Sequence, residues 1–132
     1  MIFVDTSFWV AYRNRRDAHH DEAVALMDAR FDDGLVTTNR VGGETWTYLR
    51  RRAGHGAAVD FLDTVAASSR VNVEFVEAKV EREAVAWLRQ HDDREYSFVD
   101  ATSFAMMRRM RTREALAFDG DFTAAGFVEL RV

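Results

Sequence analysis

Short apolar runs alternate along the chain with longer segments in which apolar residues recur at the spacing of a helix. The apolar runs have the length of strands, and they lie at residues 2–4, 35–38, 71–76, 115–118 and 127–132. Helical spacing is found at residues 8–12, 20–31, 40–52, 57–67, 77–91 and 98–111, and a further short helix begins near residue 121. Strands that alternate with amphipathic helices are typical of an α/β fold with a parallel sheet.

Polar side chains before several of these helices predict where each helix begins. Thr6 and Ser7 can cap the first helix, because a hydroxyl oxygen accepts a hydrogen bond from a free backbone N–H of the first turn. Asn39 and Ser97 are candidate caps for two later helices.

Composition limits the class of protein further. The 132 residues suit one domain, which we expect to span residues 1–132. No apolar stretch approaches the roughly 18 residues that a membrane span needs, and the first residues do not have the pattern of a signal peptide. Cysteine is absent, so disulfides and thiolate metal sites are excluded. We therefore expect a cytoplasmic protein that does not enter a membrane.

The charged residues are unevenly distributed. The formal net charge of −4 does not by itself suggest a protein that binds nucleic acid. However, Lys79 is the only lysine, and arginines cluster near residues 13–16, 50–52 and 108–113. The planar guanidinium group suits phosphate oxygens. The candidate phosphate contacts are Arg13, Arg50, Arg51 and Arg52; the alternative is that these side chains are solvated helix ends.

Several carboxylates are predicted to lie at one edge of the sheet. Asp5 follows the first strand and Asp119 follows the fourth, and ligands of open parallel sheets bind beyond the carboxyl ends of the strands. Asp100 lies in the first turn of a helix that starts at the same edge, and Glu44 lies early in the helix after the second strand. Asp121 is a further candidate, although a helix cap is the favoured interpretation of that residue.

A cluster of carboxylates requires a cation. Like charges repel one another and are costly to remove from water, so a fold that gathers four of them needs a compensating ion. Oxygen ligands without cysteine suit Mg²⁺ or Mn²⁺, which also bind phosphate oxygens. One or two such ions could activate a water and polarise a phosphodiester. Each acid also has a structural alternative: a turn for Asp5 and Asp119, a helix-dipole interaction for Asp100, and simple exposure for Glu44.

Histidine chemistry has less support. The four histidines lie at helix ends or in a glycine-containing loop, and none follows a strand, so surface or capping roles are predicted for all of them. The chain also lacks the glycine-rich phosphate-binding motifs and the nucleophile elbow.

Four segments together resemble the PIN-domain family, and within it the VapC toxins of toxin–antitoxin systems. They are IFVDTSFWVAY at residues 2–12, TTNRVGGETWTYLRRR at 37–52, YSFVDATSFAMM at 96–107 and LAFDGDF at 116–122. The resemblance implies a three-layer α/β/α sandwich around a mainly parallel sheet. It also implies an endoribonuclease that depends on Mg²⁺ or Mn²⁺.

The resemblance further assigns roles to residues and partners. Asp5, Glu44, Asp100 and Asp119 match the acidic quartet of the family, Asp121 matches an accessory acid, and Ser7, with Thr6 beside it, matches a supporting position. The implied partners are an RNA substrate, a second copy of the chain in a homodimer, and a VapB-like antitoxin that places a basic side chain near the acids.

Three alternatives remain open at this point. The chain could be a PIN-like module that binds RNA or a partner without cleaving, although a site without activity has no reason to keep four acids that repel one another. It could be a phospho-acceptor signalling domain, but Lys79 is not at a late strand end as such a domain requires. It could also be a nuclease whose substrate is DNA.

Overall fold

One parallel sheet of five strands forms the centre of the computed structural model, which describes residues 1–132. The strands are β1 (Ile2–Val4), β2 (Leu35–Thr38), β3 (Val71–Glu74), β4 (Glu114–Leu116) and β5 (Val128–Glu129). Their order across the sheet is β3-β2-β1-β4-β5, and every neighbouring pair is parallel. The predicted α/β fold with a parallel sheet is confirmed.

Seven helices connect and cover these strands. They are α1 (Thr6–Arg13), α2 (His20–Arg30), α3 (Asn39–Arg52), α4 (His55–Ala67), α5 (Ala78–Gln90), α6 (Phe98–Met110) and α7 (Asp121–Ala124). Successive side chains of a strand point to opposite faces of the sheet, and all residues of β1 and β2 are buried. Both faces of the sheet are therefore covered, as the three-layer arrangement requires. No helix has both the length and the apolar character needed to cross a membrane.

The core consists of two apolar clusters. The larger contains 22 buried residues from the central strands and the helices packed against them, among them Phe3, Phe8 and Phe104. A smaller cluster of six residues, including Val80 and Ala105, joins α5 to α6. This packing fixes α6, whose first turn carries Asp100.

Two predicted helix caps were wrong, and both corrections bear on the site. The cap of α1 is Asp5 rather than Thr6 or Ser7, because its carboxylate accepts a hydrogen bond from the Ser7 N–H. The cap of α3 is Thr38, which accepts from the Val41 N–H. The Asn39 side chain instead accepts a hydrogen bond from the Val76 N–H at 2.7 Å. The predicted cap at Ser97 is confirmed.

The ends of three strands also differ from the prediction. β3 ends at Glu74 rather than at residue 76, since the Val76 N–H is bound by a side chain instead of a neighbouring strand. β4 ends at Leu116, and the Phe118 N–H donates to the Ser7 hydroxyl at 3.0 Å. β5 has only two residues where six were predicted. Side-chain hydrogen bonds therefore replace strand pairing beside the carboxyl edge of the sheet.

We predict that Thr38→Ala destabilises the protein, because it removes the cap of the helix that carries Glu44. Thr38 is fully buried, and its loss leaves the Val41 N–H without a partner. The free energy of unfolding should fall by about 1–2 kcal/mol, measured by urea denaturation. Thr47→Ala is the matched control, since Thr47 is exposed within the same helix, and should change the stability by less than about 0.5 kcal/mol. Equal effects of the two substitutions would contradict the importance of this cap.

Candidate active site

The order of the strands determines where a ligand can bind. The chain proceeds from β1 to β2 and β3 on one side of the sheet, and then returns to place β4 and β5 on the other side. Connections from β1 and β4 therefore leave in opposite directions, and a crevice opens beyond their carboxyl ends. A cleft of about 460 Å³ lies there. Fifteen residues line it: Asp5, Thr6, Ser7, Val10, Asp17, His19, Glu44, Tyr48, Arg52, Glu95, Ser97, Asp100, Phe118, Asp119 and Asp121.

Asp5 is held at the end of β1 by the start of α1. Its Oδ2 atom accepts hydrogen bonds from the Ser7 N–H at 3.1 Å and from the Ser7 hydroxyl at 2.7 Å. Its Oδ1 atom is buried and has no hydrogen-bond partner. Because a buried carboxylate oxygen is costly without a partner, this atom requires a proton or a cation. The buried Thr6 hydroxyl beside it is also without a partner.

Three further aspartates converge on the same cleft. One ligand oxygen from each of Asp100, Asp119 and Asp121 lies within 4.8 Å of the others. Asp100 is fixed by a capping box, in which it accepts from the Ser97 N–H at 3.1 Å while the Ser97 hydroxyl accepts from the Asp100 N–H at 2.9 Å. The turn from Asp119 to Asp121 depends on Gly120, whose φ of 82° favours glycine.

Glu44 is placed apart from these three aspartates. It lines the cleft from α3 and is partly buried, but it is not among the residues whose carboxylate oxygens converge. The cleft therefore brings together every acid proposed from the sequence: Asp100, Asp119 and Asp121 converge, and Asp5 and Glu44 line the cleft outside that group of three.

The crowding of these acids perturbs their protonation. Burial, followed by the neighbouring charges of Asp119 and Asp100, raises the pKa of Asp5 to about 8 against the opposing hydrogen bonds from Ser7. Burial likewise raises the pKa of Asp100 to about 7. The pKa of Asp119 is also raised, first by burial and then by the charge of Asp121. Several carboxyl groups of the cleft therefore resist full ionisation near neutral pH unless a cation is bound.

This set of donors fits a hard divalent cation. The cleft offers carboxylate oxygens and hydroxyl groups, and the free Oδ1 of Asp5 is a ligand atom without a partner. Mg²⁺ and Mn²⁺ favour such ligands. A bound cation would offset the mutual repulsion that, together with burial, raises the pKa values of Asp5, Asp100 and Asp119.

Arg94 is a residue of the site that the sequence did not reveal. Its guanidinium group donates to Asp121 Oδ1 at 2.9 Å and to the Asp119 backbone oxygen at 3.3 Å. It thus connects the loop before α6 to the acidic turn after β4. The sequence indicated only that this loop is charged, since the pairing spans 27 residues and depends on the tertiary fold.

The predicted arginine contacts divide into two groups. Arg52 lines the cleft, and its guanidinium carbon lies 4.8 Å from the centroid of the Tyr48 ring. Arg50 and Arg51 are exposed and do not line it. Arg13 forms an ion pair with Asp60 and does not line the cleft, and its predicted contact with RNA phosphate stays a prediction.

The prediction for the histidines was incomplete. His19 lines the cleft, and its ring stacks on that of Phe118 with centroids 4.5 Å apart. It precedes α2 without forming a side-chain hydrogen bond to the start of that helix, so a capping role does not explain it. His20, His55 and His91 lie outside the cleft.

Comparison with known proteins identifies the family. The PIN-domain profile matches residues 2–128. The chain belongs to the PIN-domain family. It is 55% identical over 131 residues to the 23S rRNA-specific endonuclease VapC20 of two Mycobacterium tuberculosis strains, with 99% of this chain and 98% of VapC20 covered. The predicted family and the predicted likeness to VapC toxins are therefore confirmed.

Solved structures support the same assignment. The crystal structure of Mycobacterium tuberculosis VapC20, described as a sarcin–ricin-loop-cleaving toxin, superposes with a TM-score of 0.96 at 53% identity, and both chains are fully covered. VapBC2 of Rickettsia felis, crystallised with a promoter DNA fragment, matches with a TM-score of 0.71 at 15% identity over 98% of this chain and 97% of that chain. The second likeness extends to the PIN fold alone.

We predict that Asp119→Asn stabilises the metal-free PIN domain increasingly as the pH rises. Asp5 and Asp100 have raised pKa values, so the folded protein binds more protons than the unfolded chain above about pH 4, and its stability falls as the pH approaches 8. Removal of the neighbouring charge of Asp119 should reduce this loss of stability. The gain should be on the order of 1 kcal/mol at pH 8 and close to zero at pH 4, measured by thermal unfolding in EDTA.

Asp63→Asn is the control for this experiment, since Asp63 is exposed on α4 and does not line the cleft. Addition of Mg²⁺ should reverse the order of the variants at pH 8 and make the wild type the more stable protein, because metal binding requires the deprotonated acids. A gain for Asp119→Asn that does not depend on pH would contradict the repulsion between these acids.

Proposed function

We propose that this protein is a divalent-metal-dependent endoribonuclease whose substrate is the sarcin–ricin loop of 23S rRNA. The observation that carries the proposal is the free, buried Oδ1 atom of Asp5 at the switch point where Asp100, Asp119 and Asp121 converge. The substrate is taken from VapC20, which is a 23S rRNA-specific endonuclease and shares 55% of its residues with this chain.

In this proposal Asp5, Asp100 and Asp119 hold the metal ion, Mg²⁺ or Mn²⁺, and Asp121 and Glu44 act from the edge of the cluster. The bound ion supplies a water of lowered pKa and offsets the charge of the phosphate. Ser7 fixes the Asp5 carboxylate through Oδ2, so that Oδ1 is the oxygen left for the ion. Asp5 is accordingly a metal ligand rather than a general base.

Arg94 and Ser97 hold the remaining acids in place. Arg94 donates to Asp121 Oδ1 and to the Asp119 backbone oxygen, which holds the acidic turn after β4 in place. Ser97 donates its backbone N–H to Asp100 Oδ2, which orients the carboxylate as the capping box forms. The acids thus keep their positions with little reorganisation when the ion and the substrate bind.

We predict that Asp100→Asn lowers the rate of RNA cleavage at least about 100-fold while the protein remains folded, since the amide preserves the shape but not the charge. The assay follows cleavage of total ribosomal RNA in Mg²⁺, in Mn²⁺ and in EDTA. Asp92→Asn is the control, because Asp92 is an exposed acid of the preceding loop that does not line the cleft. Cleavage by Asp100→Asn at the wild-type rate would exclude the carboxylate mechanism, and cleavage in EDTA would exclude the metal.

We also propose that the protein is a toxin that forms a homodimer in the cytoplasm and is inhibited by a VapB-like antitoxin. Acidic residues outnumber basic ones in the lining of the cleft, where Arg52 is the only arginine, and this charge supports an inhibitor that inserts a basic side chain. An apolar groove of about 410 Å³, lined by Trp9, Tyr12 and Phe31 among others, supports a partner with an apolar segment.

We predict that expression of the wild type arrests bacterial growth and that Asp5→Asn abolishes the arrest. Asparagine keeps the oxygen that accepts from Ser7, so the fold should be retained. Co-expression of the product of the neighbouring gene should restore growth and should yield a stable complex during purification. Growth arrest by Asp5→Asn at wild-type protein levels would contradict the toxin mechanism, while arrest that no neighbouring gene relieves would contradict the antitoxin alone.

A further inference from the structure

We propose that the exposed ring of His19 is a stacking platform for an RNA base that flanks the scissile phosphate. The inference rests on the proposed ribonuclease function and concerns how that substrate is held. It arises from three features of the cleft: the position of His19, the rings that support it, and the charge of the residues around it.

The position of His19 is fixed although its side chain is exposed. Its backbone N–H donates to Asp17 Oδ1 at 2.8 Å, and Asp17 and His19 both line the cleft. Its ring is almost parallel to that of Phe118, with an interplanar angle of 6° and centroids 4.5 Å apart. One face of the imidazole is thus covered, and Phe118 directly precedes Asp119 of the acidic cluster. A base stacked on His19 would therefore lie next to the proposed metal site.

The rings beneath His19 anchor it in the core. The ring centroids of Phe118 and Phe8 are 5.6 Å apart, with an angle of 21° between the ring planes. The centroids of Phe8 and Tyr12 are 6.2 Å apart, with an angle of 9°. Phe8 is fully buried. The near-parallel rings of Phe8, Phe118 and His19 therefore lead from the core to the edge of the cleft, and the partly buried Tyr12 ring stacks on Phe8 from the other side of the series. Because the platform is ordered before the substrate arrives, little conformational entropy is lost when a base stacks on it.

The charge of the cleft explains why such a platform is needed. Arg52 is the only arginine or lysine that lines the cleft, and Arg94 pairs with Asp121 beside it. Seven acids line the cleft: Asp5, Asp17, Glu44, Glu95, Asp100, Asp119 and Asp121. Even with a divalent ion bound, general attraction of the phosphate backbone is weak here. Stacking of a base on an aromatic ring does not depend on net charge, and each stacked base typically strengthens binding about 10-fold or more. His19 provides an interaction of this kind close to the acids.

A structural role or an acid–base role would behave differently from stacking. If His19 served only to cover Phe118, its removal would change stability but not the affinity for RNA. If its ring nitrogens carried a proton or donated a hydrogen bond, phenylalanine could not replace it. A platform needs only the planar face, so phenylalanine should substitute and alanine should not.

The experiment measures binding of a fluorescein-labelled RNA hairpin with the sarcin–ricin loop sequence by proteins that also carry Asp100→Asn, which prevents cleavage. His19→Ala should weaken binding about 10-fold and leave the slope of log affinity against log salt unchanged, since no ionic contact is lost. His19→Phe should bind within about 3-fold of the parent protein. His55→Ala is the control, because His55 is an exposed histidine outside the cleft that contacts Trp46, and should bind as the parent does.

Cleavage kinetics without Asp100→Asn provide a second measurement. His19→Ala should raise KM about 10-fold and change kcat less than about 3-fold, and His19→Phe should restore KM. Unchanged binding by His19→Ala would overturn the platform, as would an equal loss of binding in His19→Phe or a reduced salt slope. Failure of the proposed function would give a different result, since the wild type itself would not cleave the hairpin in Mg²⁺ or Mn²⁺. That result would overturn both the ribonuclease function and the stacking platform.

Discussion

Repulsion among carboxylates at the switch point of the sheet is the constraint on which the site depends. The fold places Asp5 after β1 and Asp119 after β4, two strands that are neighbours in the sheet although they are more than 100 residues apart in the chain. Burial and mutual charge raise the pKa values of Asp5, Asp100 and Asp119. The rest of the protein must hold these groups together against an unfavourable electrostatic energy, which a bound cation would offset.

Hydrogen bonds around Ser7 provide much of the support that holds these acids together. The Asp5 N–H donates to the Leu116 backbone oxygen at 3.0 Å, which continues the pairing of β1 with β4 beyond the strand itself. The Ser7 hydroxyl donates to Asp5 and accepts from the Phe118 N–H, so it connects the chain after β1 to the chain after β4. The separation of Asp5 from the acidic turn is therefore set by backbone geometry. This connection also explains why β4 ends two residues earlier than its apolar sequence indicates.

The sequence was sufficient to predict features that depend on local pattern or on the general behaviour of parallel sheets. The strands and helices follow from apolar spacing, and the rule that ligands bind at carboxyl ends brings Asp5 and Asp119 to one edge. Features that depend on a distant partner were missed. Asn39 has the residue type of a cap, but its amide oxygen is bound to the Val76 N–H. Nothing local to Arg94 indicates Asp121, and nothing local to His19 indicates Phe118.

The positions of the predicted nucleic-acid contacts also depend on the tertiary fold rather than on local pattern. Arginine clusters in the sequence suggested binding through charge, but only Arg52 of the four candidates reaches the cleft, where carboxylates outnumber it. A site that must concentrate acids to hold a metal ion cannot also be strongly attractive to every phosphate backbone. The acids thereby reduce the affinity of the cleft for the phosphate backbone. Contacts that do not depend on net charge must then contribute more to the selection of the substrate. The proposed metal ion and the proposed substrate depend on the same edge of the sheet, so the acids that would bind the ion limit how the substrate can be recognised.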